Sequence, residues 1–410
     1  MKKHLLAASL LMSAFTSFGS GYMLNLQGLR ELAMGGTGSA WPWDASTIYY
    51  NPGGLARLKG IQVYGSVLGI MPATAYGNST GGSTVSKPQT FVPFNIYVGG
   101  PIQENSKFAV GMGIYTAAGI GLQWDNDWTG RYIVQSINLN AVFFQPTISY
   151  RVSDFLSVGG GFIYAAGSFD YTNALPVENI TNNVATEGQA HLHGAANGVG
   201  FNLGVQLKAS DKLQFGLTYR SQVNMGISGG SATFNVPTSV ASSFPNTQFD
   251  SQLPLPQVAT VGIGYRPGER LTLQFDLNYT GWNSFDSLRI NFAQQTSSLQ
   301  NEHLPEHYKN TWTPRLGANY KISRVVSVMA GVAYDQTPVT DNYVSPILPD
   351  ADRIILSCGV SVKPLPRFTV LAAVEGTDAV KRAGLYQYDN FSGTYKTDAV
   401  TPGVAIYYNF

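Results

Sequence analysis

Apolar and polar residues alternate with a period of two along most of this chain. Leu271, Leu273, Phe275, Leu277 and Tyr279 interleave with Thr272, Gln274, Asp276, Asn278 and Thr280. The same rhythm recurs at Val199, Phe201, Leu203, Val205 and Leu207, at Leu213, Phe215, Leu217 and Tyr219, and at Trp312, Leu316, Ala318 and Tyr320. Period two is the signature of strands whose two faces meet different surroundings. A sheet facing bulk water carries many Lys and Glu on its polar face. Here that face is Gly, Ser, Thr, Asn and Gln, which suits the lumen of a barrel whose other face meets lipid.

The connections carry a second signal. Tight turns marked by Gly, Pro or charge lie near 101–106, 153–154, 209–211, 266–269, 323–324 and 363–367. Longer polar stretches lie near 76–90, 120–136, 174–188, 229–252, 286–308, 338–351 and 382–393. Short and long connections alternate strictly, as in outer-membrane barrels with tight periplasmic turns and long extracellular loops. Seven long and six short connections predict 14 strands, with both ends on the periplasmic side. One strand, 137–152, is untidy. Its apolar phase moves from Ile137, Leu139 and Phe143 to Phe144, Ile148 and Tyr150, which predicts a β-bulge.

Composition agrees. Charged residues make up 12% of the 410 positions, about half of the usual ~25%, yet mean hydropathy is only −0.02. After the first 20 residues no apolar run reaches the ~18 residues a membrane helix needs. Alternating faces cancel hydropathy in a transmembrane barrel. A net charge of +1 gives no reason to expect nucleic acid, and the single Cys358 excludes an intrachain disulfide.

The chain begins MKKHLLAASLLMSAFTSFGS: Lys2 and Lys3, an apolar Leu5 to Phe15, then small Ser17 and Gly19. This reads as a signal peptide over 1–19. At the other end Val404, Ile406, Tyr408 and Phe410 keep their apolar phase to the last residue, which resembles the C-terminal signal read by the bacterial barrel-assembly machinery. With the wall assigned to 60–410, residues 20–59 remain. Leu29 to Met34 predict a short helix ended by Gly35-Gly36. Trp41, Trp43, Ile48, Tyr49, Tyr50 and Leu55 are too apolar for a solvated linker, so the segment is expected to fold into the lumen as a plug.

That segment, GYMLNLQGLRELAMGGTGSAWPWDASTIYYNPGGLARL, resembles the N-terminal hatch of the FadL/TodX family of outer-membrane transport proteins. The family's Asn-Pro-Ala-type turn stands here as Asn51-Pro52-Gly53. The stretches 145–167, 215–223, 277–290, 311–323, 333–339 and 345–353 also resemble the family, in the same order. The resemblance implies an all-β fold, a 14-stranded antiparallel transmembrane β-barrel plugged by the hatch, sitting as a monomer among outer-membrane lipid and lipopolysaccharide. It implies uptake of long-chain fatty acids or aromatic hydrocarbons, with hatch rearrangement and lateral release at the third strand, and no cofactor.

Candidate residues follow. The hatch turn Asn51, Pro52 and Gly53 is expected against the third strand, 107–119. Gly111, Gly113 and Gly119 are candidates for a kink there or for close approach of the hatch. A carboxylate substrate needs a cation in a low-dielectric pocket. Arg220, Arg315 and Arg353 point inward by phase, and Arg131 sits in a loop; pairing with Asp276, Asp335 and Glu375 is their structural alternative. Phe234 and Phe244, on long connections, are candidates for a first capture groove.

Two other function classes make different demands on the sequence. A general diffusion porin for small polar solutes needs a charged constriction and an open lumen, which the aromatic N-terminal segment opposes. A hydrolase needs a nucleophile and base that the sequence does not offer. His303-Leu304-Pro305-Glu306-His307 matches H-x-x-E-H, but Pro305 opposes the helix that a zinc site of this kind requires. No metal site is expected, and the chain is not read as an enzyme.

Overall fold

The structure is a computed structural model that describes residues 21–177 and 187–410. The signal peptide over 1–19 and most of the 174–188 loop lie outside the described residues. The described strands form a closed 14-stranded antiparallel barrel. The first strand, Gln62–Leu68 continuing into Met71–Gly77, pairs with the fourteenth, Phe391–Asn409, from Gln62↔Asn409 to Gly77↔Thr394. That closure removes the free edges that the first and fourteenth strands would otherwise expose.

The outward rows are apolar: Val63, Val67, Ile96, Val98, Val110, Ile148, Phe162, Leu203 and Leu356 are all exposed. Near the short turns this belt ends in aromatic rings. Phe108 stands 4.5 Å from Tyr150 and Tyr408 4.8 Å from Phe410, in keeping with an interfacial girdle. The inward rows are polar, with Gln206, Thr272, Gln274 and Asn319 almost completely buried.

Two expectations are corrected. The fourth strand, Ser136–Arg151, has no bulge: its pairing with the fifth, Leu156–Leu175, holds one register from Ser136↔Thr172 to Arg151↔Ser157. Ile137, Leu139, Ala141 and Phe143 face the lumen, whereas Phe144, Ile148 and Tyr150 face out. What changes along the strand is the apolar side. Its loop-end half lines an apolar chamber and exposes Asn138 and Asn140; its other half meets lipid and turns Gln145, Thr147 and Ser149 inward. The register shift instead lies in the third strand, Phe108–Gln123, between Thr116 and Ala118. Second, several stretches read as loops are partly strand, among them Val223–Asn235, Thr247–Leu255, Ser287–Phe292 and Arg382–Tyr386. Ladder hydrogen bonds continue beyond the lipid belt, where the apolar rhythm that marks a strand in sequence has faded.

Residues 21–59 fill the lumen. They comprise an extended stretch, a helix Leu29–Ala33, a helix Thr47–Tyr50 and a 3-10 turn Pro52–Arg57. Leu29, Leu32, Met34, Ile48 and Leu55 are fully buried. Gly35 and Gly36 end the first helix with φ of +71° and +82°, a conformation that costs other residues steric strain.

Candidate functional site

The hatch turn is held by one side chain. Asn51 is fully buried; its Nδ2 donates to Ser39 O at 2.7 Å and to Val205 O at 3.0 Å, and its Oδ1 accepts from Gly53 N at 3.0 Å. Pro52 begins the 3-10 turn, where its missing N–H and fixed φ suit the first position. The turn does not lie on the third strand, as expected from sequence. It lies on the fifth and the sixth, Gly188–Lys208, because Gly159 and Gly204 leave room there: a Cβ at either position would meet Pro52 or Asn51 well inside contact distance. Gly53 itself packs on Gly204 O, where an added Cβ would stand 2.8 Å away. Ile48 and Leu55 reach the third strand at Gly111 and Gly113.

A second contact lies higher in the barrel. The second strand (Ser83–Val85 and Phe94–Pro101) pairs with the third from Asn95↔Tyr115 to Pro101↔Ala109. Beyond Tyr115 the hatch takes its place. Leu24 N donates to Ala117 O and Gly119 N to Tyr22 O, each at 3.1 Å, around a Met23↔Ala118 bridge. Gln27 Nε2 adds a bond to Thr116 O at 2.8 Å. Lys87 N meets Gln123 O at 2.7 Å, so the two strands rejoin above. Between those points the wall has a seam, partly filled by Phe91, whose ring occupies the space where a side chain at Gly121 would be.

A cavity of about 520 Å³ opens at this seam, within the usual size range of ligand sites. Leu24, Ile120 and Leu139 line it from the lumen side; Asn138 and Asn140, which are exposed, line it from the outward face of the fourth strand. Ile347 to Ala351, from the long connection before the twelfth strand (Arg353–Leu365), close it from another side. Asp350 there accepts from Gly21 N at 3.0 Å and from Thr337 Oγ1 at 2.7 Å.

The other sequence candidates are placed as follows. The register shift in the third strand falls beside Ala117, while Gly111 and Gly113 stand in unbroken pairing and Gly119 bonds the hatch. Arg353 donates through Nε and Nη2 to Asp335 Oδ2, both at 3.1 Å. Arg315 donates to Gly35 O at 3.0 Å. Arg220 donates to the Tyr115 hydroxyl at 2.8 Å and to Tyr49 O at 2.9 Å, with its guanidinium 4.1 Å from the Tyr49 ring centre. Arg131 pairs with Glu187 at 2.6 Å in the loops. Arg315 and Arg353 line the cavity; Arg131 and Arg220 do not. Phe234 and Phe244 lie 6.0 Å apart, with Phe292 6.4 Å from Phe234. His303 is in a short strand, Glu302–Pro305, and His307 bonds Asp286 at 2.9 Å. No metal-holding cluster is found among the described residues.

Sequence reasoning missed three features. Arg30 crosses from the hatch helix to Asn319 and Ser361, each at 2.9 Å. Glu31 and Asp44 are both buried in the hatch. Burial, with the Asp44 charge beside it, pushes Glu31 up to about 8 against the pull of Arg30 and Ser46, and burial raises Asp44 too. Glu375, weighed only as an arginine partner, lines the cavity.

The profile of the outer membrane protein transport family (OMPP1/FadL/TodX) matches residues 10–410. The chain belongs to this family. As a FadL/TodX protein it is an integral outer-membrane transport protein and not an enzyme. It is 26% identical to outer membrane protein P1 of Haemophilus influenzae over 71% of this chain and 67% of that protein. It is 24% identical to a long-chain fatty acid transport protein of Escherichia coli over 88% and 87%. A crystal structure of a Pseudomonas aeruginosa FadL homologue superposes with a TM-score of 0.86 at 19% identity, covering 95% of this chain and 100% of that one. The toluene transporter TodX of Pseudomonas putida gives 0.74 at 17% identity, covering 96% and 99%. At these identities the two structures bear on the fold alone.

Proposed function

We propose that this FadL/TodX barrel takes up hydrophobic small molecules, long-chain fatty acids or aromatic hydrocarbons, and releases them sideways into the bilayer at the third strand. A solute enters the cavity, the hatch rearranges, and the seam between the second and third strands becomes its exit. One observation carries the reading: the cavity has lining residues from both faces of the wall, at the place where Tyr22 to Leu24 hold the edge of the third strand. The relatives' names point to the same two substrate classes. An apolar solute gains roughly 25 cal/mol per Å² on leaving water, so exit to lipid needs no further driving force. On the same reading the exposed Phe410 is what the assembly machinery binds, and the barrel works as a monomer in lipid and lipopolysaccharide. A diffusion porin is the alternative, and the packed hatch opposes it.

Met23 and Ala118 suit a reversible lock, because they are a non-hydrogen-bonded antiparallel pair with closely spaced Cα atoms. In a Cys358→Ser background, Met23→Cys with Ala118→Cys should stop uptake of labelled toluene and oleate when oxidised and restore it on reduction. Liposomes carrying the reduced protein should not swell in sugar. Equal uptake in both redox states would remove the seam from the pathway, and rapid sugar flux without hydrophobic binding would make the protein a porin.

A further inference from the structure

Glu375 sits on the lumen-facing row of the thirteenth strand, Phe368–Ala379, and is 8% exposed. Among the described residues its carboxyl makes no hydrogen bond or ion pair, and it lines the cavity. An acceptor that lines a cavity without a protein donor is free to take one from a guest. Its cross-strand neighbour Thr401 lines the same cavity, as do Thr377 and Thr397. This polar group, on the thirteenth and fourteenth strands, is separated by the first and second strands from the apolar surface of Leu24, Ile120 and Leu139. The chamber is therefore amphipathic: an apolar volume with one region of acceptors and hydroxyls.

Its charges disfavour an anion. Three acids line it, Asp335, Asp350 and Glu375, against two arginines. Arg353 is engaged by Asp335 and Arg315 by the hatch carbonyl of Gly35. Asp350 is engaged by Gly21 and Thr337. A carboxylate entering here finds both arginines already engaged and meets the acceptor oxygens of Glu375 instead. A hydroxyl group does the reverse, because it donates to the Glu375 oxygen that lacks a donor.

We propose that Glu375 reads the head group of the transported molecule, and that the preferred substrate is an uncharged hydrophobic compound bearing a hydrogen-bond donor, an alcohol or a phenol. This deepens the uptake reading and rests on the cavity being the transport site. A fatty-acid anion finds no donor at Glu375 and is bound less tightly than an alcohol or phenol of the same size. A bare hydrocarbon fits but leaves Glu375 unpaired.

The test uses three probes of one size, 2-naphthol, naphthalene and 2-naphthoate, binding to the mature protein in lipid nanodiscs and followed by ligand fluorescence. The expected order is naphthol about ten-fold tighter than naphthalene, with naphthoate weakest. Glu375→Met should abolish the difference between naphthol and naphthalene, whereas Glu375→Gln, which keeps an acceptor, should retain part of it. A residue serving only the wall would shift all three probes together. Equal binding of naphthol and naphthalene, tightest binding of naphthoate, or an unchanged preference in Glu375→Met overturns the assignment while leaving hydrophobic uptake intact. If no probe binds the folded protein, the cavity is not the transport site and both readings fall. The comparison on the unaltered protein decides even if a variant fails to assemble.

Discussion

Replacing Asn51 with alanine should unseat the hatch turn and leave the barrel standing. The side chain makes three hydrogen bonds, two as donor to Ser39 O and Val205 O and one as acceptor from Gly53 N. Its site is fully buried, so water does not readily replace them. A lost hydrogen bond costs about 1 kcal/mol net, and each buried group left unpaired raises the cost. Three together, taken as less than additive, come to roughly 3 kcal/mol, or about a hundred-fold in the opening equilibrium of the turn. Hydrogen exchange read by mass spectrometry on peptides spanning 47–57 measures that equilibrium directly. Those peptides should exchange about a hundred-fold faster, while wall peptides and the heat-induced gel shift of the barrel stay as they were, and hydrophobic uptake should fall. Asn51→Asp sharpens the test. It keeps the bond to Gly53 but sets a charge against two carbonyls, so it should open the turn at least as far. Unchanged exchange over 47–57 in both variants would refute the reasoning, because the turn would then be held by Pro52 and the surrounding glycine contacts.

Two further outcomes are expected. Burial favours the neutral form of Glu31, whose value is raised from 4.5 to about 8 among Asp44, Arg30, Ser46, Tyr50 and Tyr64. The seated hatch is then most secure below about pH 4.5 and loses stability as pH rises toward 8, by up to about 1.4 kcal/mol per unit; exchange in 29–34, corrected for its intrinsic pH dependence, should accelerate from pH 5 to 7.5 in the native chain and clearly less in Glu31→Gln, where only Asp44 still titrates upward. Phe91→Ala removes the ring that fills the seam over Gly121, a loss of roughly 1.5 kcal/mol to the closed wall; toluene uptake should rise by about ten-fold with no gain in sugar flux, and slower uptake would make Phe91 a guide for the solute instead of an obstruction.

The wall was legible in the sequence because each strand carries its own evidence: alternation, then a turn. The hatch was legible as an apolar segment with no strand rhythm, and the end of its first helix at Gly35-Gly36 was readable too. Its seat was not. Arg30 meets Asn319 and Ser361, partners 289 and 331 positions away, and no local pattern marks such a pair. Tyr22 to Leu24 form strand-like bonds without a strand's alternation, because they pair on one edge only. The fourth strand misled for the opposite reason. Its alternation is real, but the apolar side changes where the lumen changes from polar wall to apolar chamber, and a one-dimensional reading takes that for an extra residue. Glu375 looked like one more lumen charge. Its significance depends on which arginines are already engaged, which only the folded arrangement decides.

The bond from Gly21 to Asp350 ties two regions usually thought of separately. Asp350 belongs to a connection on the cell's outer side, and Gly21 immediately precedes the residues that hold the edge of the third strand. Lifting that loop therefore pulls on the stitching of the wall. On the proposed uptake route, entrance and side exit share a thread, so an arriving guest would loosen its own way out. A door built in that way would open only while it is being used.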